Sequence, residues 1–154
     1  MSEDDFKVSQ LTKELVAMRL ARMEDPCAAA ADSIRQTLKV ALQALPPGDP
    51  ERHTVIEDAV RGGMQGLILA EQDVPRGGAL VVEAMAELAH DVGMDPSETI
   101  KSALAGLAGL KRLLRADHLD ALREAIEEHF HGAGEVFSEL LAAQPDPGQA
   151  SRRV

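Results

Sequence analysis

Aromatic residues are almost missing from this chain, which has no Trp, no Tyr and only three Phe in 154 residues. Large sheets draw on aromatic and β-branched side chains, so the scarcity points away from a β fold and towards helices packed through Ala, Leu, Val, Ile and Met. Cysteine is scarce too. Cys27 stands alone, which excludes an internal disulfide and a multi-cysteine zinc site. No apolar run approaches the ~20 residues a membrane-spanning helix needs. Excess positive charge is also absent: the formal net charge is −10. Nucleic-acid phosphates and anionic lipid head groups both require a basic footprint, so neither is an expected partner. The opening "MSEDDFKVSQ" lacks the basic start and apolar run of a signal peptide, and a cytoplasmic location is the expectation.

What the chain does contain is helix punctuation. Asp-Pro occurs at 25–26, 49–50 and 95–96; Asp is a preferred N-cap and Pro is favoured in the first turn. With Gly93 as a stop and breaks at "QDVPRGG" and "RADH", six helices are expected, at about 6–24, 26–45, 51–72, 77–92, 96–115 and 118–142. Apolar stripes of period 3.6 support them, such as Ile34, Leu38, Ala41, Leu42 and Leu45, or Leu119, Leu122, Ile126, Phe130, Ala133 and Phe137. The first helix fits less well. Leu11, Leu15 and Met18 share one face while Val16, Leu20 and Met23 point elsewhere, as in a helix buried twice or lying in a subunit contact. The expected fold is all-α, one helical domain over 1–144 with a flexible polar tail at 145–154. "AVRGGMQGL" at 59–67 and "SALAGLAGL" at 102–110 share their pattern of small residues. Three helical hairpins therefore suggest themselves, forming a six-helix bundle or, as the alternative, a short solenoid-like stack.

Small residues form stripes on two of these helices. Ala59, Gly63 and Gly66 lie together on the third, and Ser102, Ala105, Gly106 and Gly109 on the fifth, opposite Ile100, Leu104 and Leu107. A glycine inside a helix costs about 1 kcal/mol relative to alanine, so close backbone packing is expected to offset it. The fifth helix, apolar on one side and small on the other, is expected to be the most buried.

Two Glu-x-x-His pairs, Glu87/His90 and Glu128/His131, together with Glu57 and Glu98 on neighbouring helices, resemble the ligand order of ferritin-like di-metal bundles. On a helical wheel, however, both pairs fall opposite the apolar faces, whereas such ligands must project inward. A solvated face is the preferred reading of "EEHFHGAGE" at 127–135, with the di-metal redox or storage bundle as the alternative. Cys27, followed by four alanines, reads as a small core residue. "RGG" at 61–63 and 76–78, without interleaved aromatics, reads as helix packing and a turn. No phosphate-binding loop, dinucleotide fingerprint or nucleophile elbow is present.

In composition the chain is similar to the phasins, low-aromatic, Ala- and Leu-rich proteins that coat bacterial storage granules; no motif supports the likeness. The expected function is therefore a non-enzymatic helical association protein without a cofactor: an oligomeric scaffold, an adaptor or a granule coat. Its expected partners are further copies of itself or another protein. A regulatory module whose small-residue groove accepts a partner's helix is a further alternative. Replacing His90 and His131 with Ala should change stability by no more than about 0.5 kcal/mol per site. Thermal unfolding with elemental analysis checks this, since stoichiometric iron or manganese lost in the double variant would establish the di-metal alternative.

Overall fold

A computed structural model of the chain describes the backbone of residues 3–20 and 25–145 and the side chains of residues 8–17 and 25–145. The expected tail at 145–154 lies outside these except for Pro145, as does the segment 21–24 of the expected first helix. The described residues form seven helices: α1 (Glu3–Leu20), α2 (Pro26–Gln43), α3 (Glu51–Leu69), α4 (Val74–Val92), α5 (Pro96–Ala108), α6 (Ala116–His129) and α7 (Ala133–Ala143). Among the described residues there is no strand, and no helix is long and apolar enough to cross a membrane.

The Asp-Pro signals mark helix starts because the aspartates bond the free N–H groups of the first turn. Asp25 accepts from Ala28, Asp49 from Glu51 at 2.9 Å, and Asp95 from Ser97 at 2.8 Å and from Glu98. The fourth helix begins three residues earlier than its spacing suggested, because Asp73 caps Arg76 and Pro75 sits in the first turn. Consequently Gly77 and Gly78, read from the second "RGG" as a turn, lie inside α4. The third helix stops at Leu69, where Glu71 adopts φ +55 and the chain turns. The fifth is shorter than expected: beyond Ala108 the bonds tighten to Leu110 N–Leu107 O and Lys111 N–Ala108 O, a winding that carries Leu110 into the core.

The expected sixth helix is two helices. Its apolar stripe continues across Phe130, so periodicity alone conceals the break. Glu127 makes it: its carboxylate accepts from the N–H groups of Gly132 and Gly134, each at 3.0 Å, capping α7 from the preceding helix. Gly132 takes φ +90, a conformation open to glycine at little cost.

The helices form a bundle of two rows, with α1, α3, α5 and α7 in one and α2, α4 and α6 in the other. Helices α1 to α6 each pack most extensively on a helix two places away along the chain, and α7 packs equally on α5 and α6. Within a row the helices run parallel: Ser9 and Lys13 of α1 meet Gly62 and Gly66 of α3, and Glu57 and Arg61 of α3 meet Gly106 and Gly109 of α5. The helices thus form a bundle, as expected, in which the hairpins follow one another in chain order. The core between the rows contains Ile34, Leu38, Ile56, Met64, Leu67, Met85, Leu88, Leu104 and Phe137, all fully buried. Burial is shared by α3, α4 and α5, so α5 is not the single most buried element. The reason is the stacking, which places α3 and α4 in mid-row with neighbours on both sides.

Glu127 ties acidity to this architecture. The Gly132 N–H first, then that of Gly134, holds its carboxyl below the usual glutamate range. Because the folded value is depressed, the stabilisation is present above the ordinary pKa of about 4.3 and is lost as pH falls through the lower folded value. Glu127→Gln should therefore lower the melting temperature at neutral pH and flatten the acid limb of a stability–pH profile.

Candidate functional site

The contacts that distinguish this fold lie where glycine lets two backbones touch. On α3, a Cβ at Gly62 would collide with the Ser9 carbonyl of α1, and one at Gly66 would lie 3.0 Å from the Lys13 carbonyl. On α5, a Cβ at Gly106 would lie 2.7 Å from the Glu57 carbonyl and 3.1 Å from Val60 Cβ. Gly63 faces the Ile34 side chain, and Gly109 the aliphatic stem of Arg61 at 3.1 Å. The expected stripe is thus an intrachain seat at each of its glycines, with Ala59 fully buried beside them. Ser102 differs from this pattern: it is polar yet buried, and its hydroxyl lies 2.7 Å from His53 Nδ1 on α3.

Helical-wheel reasoning did not connect His53 with Ser102, because they lie on different helices and meet only through the α3–α5 register. The Ser102 hydroxyl donates to the Glu98 carbonyl at 3.1 Å, which leaves its oxygen to accept from His53 Nδ1–H. A serine beside a histidine is the starting geometry of a nucleophile–base pair. Here the serine proton is committed to a carbonyl of its own helix. The pair therefore acts as a polar tie between α3 and α5.

The six glutamate and histidine candidates do not form one cluster, although Glu98 shares one cleft with Glu57 and another with His131. Glu87 is paired with Arg35 at 3.0 Å, and Arg35 in turn holds Asp91 at 2.6 Å. His90, Glu98 and Glu128 are exposed. His131 has a side chain 97% exposed and lies 3.4 Å from Glu127. Glu57 is half-buried between α3 and α5, where burial, followed by the neighbouring Asp58 charge, pushes its carboxyl up. Among the described residues no three His, Cys, Asp or Glu side chains are grouped to hold a metal ion. Cys27 is buried and 3.3 Å from the Asp73 carbonyl, and burial raises its thiol pKa.

Two further features had no signal in the spacing. Arg52 is 7% exposed, and its guanidinium donates to the Leu42 and Leu45 carbonyls at 3.1 and 2.9 Å, closing the C-terminal end of α2 with a positive charge. On α1 the expected faces are redistributed. Val16 is fully buried against Gly66, with Thr12 beside it, whereas Leu11 is 54% and Leu15 36% exposed. Val16 therefore belongs to the core and the unpaired apolar face is that of Leu11 and Leu15, because the inward direction is set by the glycine seat on α3. Leu20, Met18 and Met23 have side chains outside the described residues.

Compared with known proteins, the chain matches no family model, no curated protein and no solved structure.

The seats make a definite prediction about glycine. Helix propensity alone favours Gly106→Ala by up to about 1 kcal/mol. Collision with the Glu57 carbonyl should reverse the sign, with a net loss of about 1–3 kcal/mol in denaturant unfolding, and Gly63→Leu should cost more still.

Proposed function

We propose that this chain is a non-enzymatic helical association protein, a scaffold or adaptor, that pairs with a second copy of itself through the outer face of α1. The observation that carries the reading is the exposure of Leu11 and Leu15, one helical turn apart, on the last helix of a row. Stacked helical arrays ordinarily end in a polar surface, because an end helix has a neighbour on one side only. This end instead presents an apolar stripe, and a second copy related by a two-fold axis is the simplest surface to cover it. A net charge of −10 opposes indiscriminate self-association, so the contact must be specific and its strength must rise with salt. Two leucines bury little area, and a weak, concentration-dependent dimer follows.

Sedimentation over a concentration series tests this. The parent should gain mass with concentration, and Leu11→Ser/Leu15→Ser should remain monomeric with unchanged helicity and a stability within about 0.5 kcal/mol per site. A parent that stays monomeric throughout, or a variant that associates as the parent does, would end the reading.

A further inference from the structure

Three adjoining clefts meet at Glu98. The first, of ≈ 240 Å³, lies between the α2–α3 and α4–α5 connections; the second, of ≈ 210 Å³, lies between α3, α5 and α7; the third, of ≈ 420 Å³, lies between α5 and the α6–α7 break. Glu98 lines all three, while His53 is shared by the first two and Lys101 by the last two. Sharing these residues, the three clefts lie side by side as a grooved surface across the N-terminal parts of α3 and α5 and along α7. Its floor is apolar: Met94, Ile100, Phe130, Val136 and Leu140 are half-buried and Leu104 is buried. Its walls carry five carboxylates, those of Asp49, Glu57, Asp95, Glu98 and Glu139. Against these stands a single exposed ammonium, Lys101, since the Arg52 guanidinium is buried on the carbonyls of α2.

We infer that this groove is a docking surface for a basic amphipathic helix of another protein. An apolar floor selects a segment with aliphatic anchors at i, i+3, i+4 and i+7, and acidic walls select Lys or Arg flanking those anchors. The overall charge of −10 reinforces the choice by drawing cationic segments to the surface. Nucleic acids and anionic lipids are repelled by the same walls, and the side-by-side placing of the three clefts suits an elongated occupant better than a small molecule. The surface is separate from the outer face of α1, so this inference stands or falls independently of self-association.

The probe is a synthetic Lys/Leu amphipathic helix of about 20 residues, titrated calorimetrically into the full chain at about 0.15 M salt. A scrambled peptide of the same composition, lacking the apolar stripe, is the control. The stripe peptide should bind at least about tenfold more tightly than the scramble, and Glu98→Lys/Glu139→Lys should weaken it by about tenfold or more. Asp120→Lys/Glu124→Lys, an equal charge change on the exposed side of α6, should have little effect, as should Leu11→Ser/Leu15→Ser. Equal binding of the scramble, no binding of the stripe peptide, or equal weakening by the two charge-reversed pairs would each overturn the inference.

Discussion

Everything in this fold depends on the closeness with which the odd-numbered helices approach one another. Gly62 and Gly66 admit the carbonyls of α1, and Gly106 admits a carbonyl of α3, so parallel helices lie backbone against backbone along the row. Small residues fill these contacts, while the larger side chains, Phe137 among them, are buried in the core between the rows. The glycines lose helix propensity, and the dispersion gained by two close backbones offsets that loss. Close approach also settles register, because a carbonyl that sits over a glycine has no equivalent position one residue away. That register places His53 opposite Ser102 and turns Val16 inward.

The even-numbered row is held differently. Its helices meet through larger side chains, Gly78 of α4 receiving Leu122 of α6, while Gly77 receives Leu67 of α3 across the rows. Charged pairs are added at the surface. Arg76 grips Asp25 through two bonds, at 2.6 and 2.9 Å, and holds its carboxyl down at about 2, while Arg35 bridges α2 to both Glu87 and Asp91. Such exposed pairs contribute little stability individually. What they do is orient α2 against α4, where the apolar contact alone would permit sliding. Arg52 serves a related end from the interior, bonding the Leu42 and Leu45 carbonyls where α2 ends.

Stacking without closure leaves an end and an edge open, and these are where association is proposed. A closed bundle would turn all its apolar stripes inward; a row of four parallel helices cannot, since α1, packed on α3 and α2, has no further helix of the row beyond it among the described residues. The break between α6 and α7 has a comparable consequence at the other end of the row. By capping α7 at Gly132, Glu127 redirects the chain, and Phe130 and Val136 come to line the groove beside α5.

The all-helical class, the Asp-capped starts and the glycine stripes were legible in the sequence, because composition, capping and the 3.6-residue period are local properties of a helix. The outward placement of Glu87, His90 and Glu128 was legible for the same reason: each shares its helix with an apolar stripe that defines the inside, whereas His131, equally exposed, lies in the break between α6 and α7. Periodicity says which face of a helix is apolar, but not which neighbour covers it or whether any does. On α1, with apolar residues on two faces, only the position of Gly66 on another helix decides that Val16 is inside and Leu11 outside. The split at Phe130–Gly132 was hidden because the stripe runs on across it, and the decisive bonds come from Glu127, whose reach to Gly134 spans a bend that exists only once the chain has folded. The meeting of His53 with Ser102 and the capping of α2 by Arg52 likewise belong to tertiary structure, since each joins groups whose separation is set by helix packing and by no local periodicity.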